Sequence, residues 1–573
     1  MSTGEQMKAR ITTPLRFTPS RQDETSPALC MGSKQQPTSR RSGNYPPNIW
    51  DYDFLESLIS TQQKRASYHD VEKRLEENVK KLVQEWQTEQ LALLTLIDDI
   101  QRLGISHRFQ EDIAQALNRL YLLKNRTEED GLNATALRFK LLRQHGFAVS
   151  ADEEFRKFKD GEGKFMTSLR NDVHGLLNLY EASYYAFEEE FLLDEANAFA
   201  QKHLIKLKDV IEDRSLADRI ARTLDLPLHH RLPIEEAKHT LKTYNGNLSL
   251  CEIAKLNFNT TQSIYQSELA EVIRWWRQLD LPNKLGFSRD RMVENFNAAV
   301  VMAPGPQDGD CRKAMAKLIA VLCVIDDIYD LYGSLEELKL FTLATERWDV
   351  NAIDELPEYM RLSFLAMFNS ANEMAYEIMK KTGFNCLPYI RQGWCDLCKA
   401  FLAEAEWYFG KQVPTFKDYL EIGWRSVGGV IVLRAVYFYS DMKFTSESLG
   451  HLEKLHEAIR YSCISSRVIN DWGTEEREQE RGEAAKSINC YIHETGTSME
   501  DARKHMKSVI QENWMKFNKV AYGDSPPFSK AFLELIANFP RYCTRMYSRG
   551  DGLGTHDDKV ISYLMEMLLH PVQ

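Results

Sequence analysis

Three acids, Asp326, Asp327 and Asp330, follow directly on the apolar run 318–325. On an α-helix Asp326 and Asp330 are i,i+4 neighbours, and Asp327 stands about 100° round from Asp326, so all three carboxylates are expected in one sector. Like charges gathered this way repel. A divalent cation removes the repulsion, and hard Mg²⁺ takes one or two carboxylates, several waters and substrate phosphate. Two readings stand for this stretch: a magnesium site at the mouth of an apolar cavity, and a solvated acidic helix end. Later in the chain Asn470, Thr474 and Glu478 are i, i+4 and i+8. Each step turns only about 40° and climbs about 6 Å, so an amide, a hydroxyl and a carboxylate form a column of hard oxygen donors. Arg467 lies one turn earlier and Lys486 beyond. Metal ligands flanked by cations suggest a site that receives an anion carrying its own metals. Arg289 and Arg291 flank Asp290 and offer two guanidinium forks, which match phosphate oxygens. Taken singly, each motif also reads as ordinary charged surface; two oxygen-donor motifs in one helical chain favour the metal site.

Asp98-Asp99 is an internal control. The stretch I-D-D-I recurs there, but the fifth position is Arg102 rather than an acid. Local pairing with Arg102 is expected, and no metal.

The elements that must position these residues are helices. Residues 69–86 put Val71, Leu75, Val79, Leu82 and Val83 on one face, with Glu and Lys on the other. From about Trp50 onward this periodicity repeats, broken by short polar or Gly/Pro stretches and with no fixed-period repeat, which predicts an all-α protein and excludes a regular solenoid. A break near Tyr244–Asn247 divides it into a helical region 40–246 and a second, 247–573. Gly333 suits a helix end, and Ser334 with Glu337 forms a capping box opening the next helix. Gly428-Gly429, inside an apolar helical run, reads either as a break aiming carbonyls inward or as a packing accommodation.

The chain has 573 residues, 43% hydrophobic, with formal net charge -11. No long basic stripe appears, which disfavours nucleic acid as a partner. No apolar run is long enough to cross a membrane as a helix. Ten cysteines are scattered without a framework, as suits free thiols in a reducing compartment. Cys395 and Cys398 lie in an apolar helical pattern and read as core rather than as a redox pair. Residues 1–39 are rich in Ser, Thr and Pro without apolar periodicity, so disorder is expected. They suit a transit segment, though Glu5, Asp23 and Glu24 depart from its acid-poor pattern.

Together these pieces resemble plant class I terpene synthases, of the angiosperm monoterpene subfamily, from about residue 40 to the C-terminus. The D-D-x-x-D motif matches Asp326, Asp327 and Asp330. The (N/D)-D-x-x-(S/T)-x-x-x-E motif matches Asn470, Asp471, Thr474 and Glu478. R-x-R matches Arg289 and Arg291, and R-R-x8-W matches Arg40, Arg41 and Trp50. The resemblance implies a C-terminal metal-binding catalytic helical bundle, preceded by a barrel-like helical domain without its own chemistry. The D-x-D-D motif of protonation-initiated class II cyclases is indeed missing. It further implies geranyl diphosphate as substrate, Mg²⁺ or Mn²⁺ as cofactor with three ions, a plastid stroma location (cytosol if 1–39 is no transit segment), and a monomer or weak homodimer.

The residues fit that chemistry on physical grounds. Ionising a C–O bond to diphosphate requires neutralising charge on the leaving group. Asp326 and Asp330 would hold metal on one wall with Asp327 supporting, and Asn470, Thr474 and Glu478 on the facing wall. Arg289, Arg291, Arg467 and Lys486 would bind diphosphate, and Arg40 and Arg41 are associated by the resemblance with isomerisation and cyclisation. The carbocation needs a dry pocket with aromatic faces, for which Trp424, Tyr439 and Tyr547 are candidates. One departure bears on the product. Where the subfamily commonly carries a cavity tryptophan, this chain has Ala298, and Val301 stands where glycine is common. Fewer aromatic contacts favour acyclic or early-quenched alcohols such as linalool, geraniol or terpineol, whereas Arg40-Arg41 favours cyclisation. A sesquiterpene or hemiterpene synthase on farnesyl or dimethylallyl diphosphate is the alternative, and a non-catalytic helical scaffold a more distant one.

Overall fold

The computed structural model describes residues 40–573 apart from 59–62, 86–88, 124–129, 441–443, 481–485, 549, 551 and 553–556; of residues 63–69 and 476–480 it gives the backbone path alone. The disorder expected for residues 1–39 therefore concerns a segment outside the described residues. The described chain is helical throughout, and its β-type pairing is confined to the isolated bridges Lys159–Phe165 and Ser548–Gly550. In the helix Gln63–Glu85, Leu75, Val79 and Val83 are buried at i,i+4 spacing, as the apolar periodicity requires.

The N-terminal helices close around charge as well as apolar side chains. Asp98 accepts from Arg102 at 2.7 Å and from Lys140 at 2.7 Å, and Glu181 takes both cations at 2.5 and 3.0 Å. Burial alone would raise the Asp98 carboxyl, but Arg102 and Lys140 outweigh it and hold it far below the ordinary range. The first acid of the pair is thus neutralised by the protein's own cations, while Asp99 accepts from the Tyr244 hydroxyl at 2.9 Å and burial beside Asp98 pushes its carboxyl up to about 6.

Seven helices of the C-terminal half line one cavity: α1 (Met292–Met302), α2 (Gly309–Asp327), α3 (Leu387–Phe409), α4 (Phe416–Ser426), α5 (Gly429–Ser440), α6 (Glu457–Glu480) and α7 (Lys530–Tyr547). Two local features set its shape. The α-helical part of α2 stops at Asp327, and Ile328–Tyr332 continues as a π-helical turn ending at Gly333. Ser334 and Glu337 then cap the helix Leu335–Arg347 reciprocally. Between α4 and α5, Gly428 has φ +81, a conformation that glycine adopts without a Cβ penalty. Cys395 and Cys398 are buried free thiols, and the Cys395 Sγ donates to the Thr345 carbonyl at 3.3 Å.

Candidate functional site

The cavity has a charged mouth and an apolar floor. Asp326 at the end of α2 and Asp330 in the π-helical turn after it, with Arg289 from the loop before α1, form one side. Arg467, Asn470 and Thr474 from α6 and Lys486 form the other. Ala298, Met302, Ile319, Leu322, Val432 and Phe539 line the interior. The helical period of α6 explains its contribution, since Asn470 and Thr474 are one turn apart on a single face. The Thr474 hydroxyl donates to the Asn470 carbonyl at 3.1 Å. Glu478 continues α6 in sequence, but its side chain lies outside the described residues.

The acidic trio divides, contrary to the single sector expected of it. Asp326 is partly exposed and lines the cavity, whereas Asp327 is fully buried. Asp327 Oδ2 accepts from the Ser288 hydroxyl at 3.0 Å and from the Arg289 backbone N–H at 3.0 Å. Its Oδ1 stands 3.1 Å from Arg289 Nη2, the nitrogen that also pairs with Asp326. Burial pushes the Asp327 carboxyl upward, against the pull of Arg289. The physical reason for the split is the 100° step between adjacent residues, which at this helix edge turns one acid to the cavity and the next beneath the 287–291 loop.

Opposite, Arg467 is held by five acceptors. Its Nε donates to the Gly423 carbonyl (3.1 Å), Nη2 to Glu404 Oε1 (3.1 Å) and Ser426 Oγ (2.7 Å), and Nη1 to Asn470 Oδ1 (3.2 Å) and Asp471 Oδ1 (3.3 Å). Asp471, like Asp327, is buried and structural. It accepts from the Tyr419 hydroxyl at 2.9 Å and from the Ser487 N–H at 3.1 Å, fixing the segment that carries Lys486.

Other residues singled out in the sequence lie away from the cavity lining. Arg291 is buried behind the lining, donating to the Asp290 and Pro46 carbonyls at 2.9 and 3.1 Å. Arg40 forks onto Glu337, with Nη2 to Oε1 at 2.8 Å and Nη1 to Oε2 at 3.0 Å, and lies over the rings of Tyr332 and Tyr359. Arg41 donates to the Asp330 carbonyl and stacks over Tyr408 at 4.0 Å. These contacts lay residues 40–50 across the mouth as a strap, which Asn48 fastens to Asp290 at 3.2 Å and Trp50 to Glu294 at 3.0 Å. From the strap Tyr45 reaches the cavity, its ring 5.2 Å from the Arg289 guanidinium.

Of the three aromatic candidates only Tyr547 lines the cavity. Trp424 is packed among α4 neighbours with Arg425 over its ring, and the Tyr439 hydroxyl donates to Glu377 at 3.1 Å. The sequence reading missed Phe539, Tyr542 and Tyr45. Residue type cannot say which aromatic faces inward, but Pro540 inside an otherwise regular helix was a visible signal at α7.

The donor set fits a hard divalent cation. Carboxylate, amide and hydroxyl oxygens face the mouth from both walls. Cys323 and Cys543 also line the cavity, but burial pushes both thiols up to about 12, so neither offers a soft thiolate.

Known proteins are similar to this chain in sequence and fold. The family model for the terpene synthase N-terminal domain matches residues 49–224, and that for the terpene synthase metal-binding domain matches residues 277–516. A chloroplastic isoprene synthase of Pueraria montana var. lobata is 43% identical over 95% of this chain and 91% of its own length. A limonene synthase structure with 2-fluorolinalyl diphosphate superposes with TM-score 0.90 at 39% identity, covering 93% of this chain and 100% of that one. Isoprene synthase from grey poplar leaves (Populus x canescens), in complex with three Mg²⁺ ions and dimethylallyl-S-thiolodiphosphate, superposes with TM-score 0.84 at 42% identity, covering 92% and 99%.

Proposed function

The chain belongs to the terpene synthase family, and from that premise we propose that it is a monoterpene synthase that ionises geranyl diphosphate. The observation that carries this reading is the pairing of two oxygen-donor walls with one apolar floor in a single cavity. In this reading Asp326 and Asp330 hold metal on one side, and Asn470, Thr474 and Glu478 on the other. Magnesium bound there supplies Lewis-acid stabilisation of the departing diphosphate. Arg289, Arg467 and Lys486 receive the diphosphate oxygens. Arg289 and Arg467 are already oriented by buried carboxylates, so little reorganisation is needed as negative charge develops. Asp327 and Arg291 act behind them, fixing the 287–291 loop.

As the C–O bond breaks, its electron pair leaves on diphosphate and an allylic cation remains. Residues 40–50 over the mouth and the apolar floor keep bulk water from it. Ten carbons need depth, and Ala298 places only a methyl group at the floor, whereas Leu322 fills the room beside Gly428. Ala298 also withholds an aromatic face, which supports early capture of the cation by one water admitted to the pocket rather than by bulk solvent, with loss of a proton to give an alcohol such as linalool, geraniol or terpineol.

A second reading, dimethylallyl diphosphate converted to a five-carbon product, is favoured by the identity to isoprene synthases. The chloroplastic relative supports a plastid location for this chain.

Incubation with geranyl and dimethylallyl diphosphate separately, with and without Mg²⁺, tests the proposal through released diphosphate and volatile products. Magnesium-dependent ten-carbon product is expected, and Asn470→Ala should lower its formation on the order of a hundredfold. Turnover of dimethylallyl diphosphate alone would replace this reading by the second. Turnover without a divalent cation would remove both.

A further inference from the structure

The aromatic surface missing at Ala298 is present on the neighbouring helix. Phe539 and Tyr542 of α7 line the same cavity as Ala298 and Met302 of α1, and Asn538 locks the two helices together by donating to the Met302 carbonyl at 2.9 Å. The Phe539 ring occupies room that exists only because residue 429 is glycine: a Cβ there would lie 2.3 Å from Phe539 Cε1 and 2.8 Å from Cys463 Sγ. The backbone is equally committed. Pro540 has no N–H to give the Ile536 carbonyl one turn back, and the Ser462 hydroxyl of α6 donates to that carbonyl instead, at 2.7 Å. A proline, its compensating serine and a clearing glycine thus converge on the placement of one ring.

We propose that Phe539 is a specificity-determining catalytic residue, the aromatic face against which the carbocation rests, with Pro540, Ser462 and Gly429 as its positioning residues. The inference rests on the reading that the chain ionises an allylic diphosphate. The ring forms no bond and moves no proton. Its π-cloud lowers the energy of a cation lying over it. Which cation persists long enough to lose a proton to an olefin, or to gain water and lose a proton to an alcohol, then depends on where that ring lies.

The test separates ionisation from product choice. Purified full-length parent, Phe539→Leu, Phe539→Tyr and Gly429→Ala are assayed with geranyl diphosphate and Mg²⁺ for diphosphate release, product distribution and melting temperature. Phe539→Leu keeps an apolar side chain and removes the ring. It should lower the ratio of the parent's major product to all others on the order of tenfold, with diphosphate release falling by a smaller factor because the first cation also loses the ring. Phe539→Tyr should keep the parent ratio, and Gly429→Ala, which displaces the ring without removing it, should shift the ratio in the direction of Phe539→Leu. An unchanged ratio in Phe539→Leu overturns the assignment of Phe539 alone. So does a loss of diphosphate release that merely follows a fallen melting temperature. A parent that releases no diphosphate overturns the ionisation reading beneath it.

Discussion

Asp326 and Asp327 are chain neighbours with opposite surroundings, and a substitution at each should read out differently. Asp327→Ala leaves the Ser288 hydroxyl, the Arg289 N–H and part of the Arg289 guanidinium without their buried acceptor. Removing one partner of a buried ion pair costs about 3 kcal/mol. Asp327→Ala should therefore lower stability by that order in denaturant unfolding and raise KM through a misplaced Arg289. Asp326→Ala removes a partly exposed cavity carboxylate and should cost turnover on the order of a hundredfold with the melting temperature nearly kept. Equal melting losses in the two variants would contradict the division of roles. At this scale the sequence disclosed the types and spacing of the oxygen donors, because these follow from the helical period. It did not disclose which adjacent acid turns inward, nor that Arg291 lies behind the cavity lining while Arg289 faces it, because both depend on a loop packed across the end of α2.

The capping box at Ser334 and Glu337 was legible from four residues, since both its hydrogen bonds are local. The strap 40–50 was legible only as a motif. It has no periodicity of its own, and its partners Glu337, Asp290 and Glu294 are remote in sequence. The π-helical turn after Asp327 was hidden too, because its residues suit an ordinary α-helix equally well. Glu337 joins cap and strap, and this gives the strap a pH dependence. Burial alone would raise its carboxyl, but hydrogen bonds from Arg40, Ser334 and Tyr359 outweigh burial and hold it at about 2. A depressed carboxylate contributes stability that is full above its ordinary value near 4.5 and is lost as pH falls toward 2. The melting difference between the parent and Arg40→Ala should hold constant from pH 7 to about 4.5 and narrow below it. A difference that stays constant to pH 3 would assign the contribution of Arg40 to its stacking on Tyr332 and Tyr359 instead.

Across the whole molecule the two halves share one continuous apolar core, joined by polar contacts that no local motif marks. Asn518, in the helix Met499–Tyr522, donates to the Tyr184 and Ala186 carbonyls at 2.8 and 3.0 Å. With its amide nitrogen so engaged, its Oδ1 is an acceptor, and the buried His229 ring 2.9 Å away must carry its proton on Nε2. Among the described residues the buried His229 Nδ1 has no hydrogen-bond partner, and Arg541 donates to the His229 carbonyl at 2.8 Å. A second proton would therefore enter an apolar space beside a cation. Burial first, then Arg541, holds the His229 pKa well below 6.5, and the same causes lower neighbouring His230 to about 3. The unfolded chain takes up these protons as pH falls through about 6.5 while the folded chain does not, so stability declines by up to about 1.4 kcal/mol per pH unit for each histidine. His229→Gln keeps a donor for Asn518 Oδ1 and does not titrate. Its melting temperature should fall less steeply than the parent's between pH 6.5 and 5, the two curves converging toward neutral pH. Parallel curves would mean that His229 is protonated within the folded molecule, and that the junction between the halves tolerates a buried charge beside Arg541.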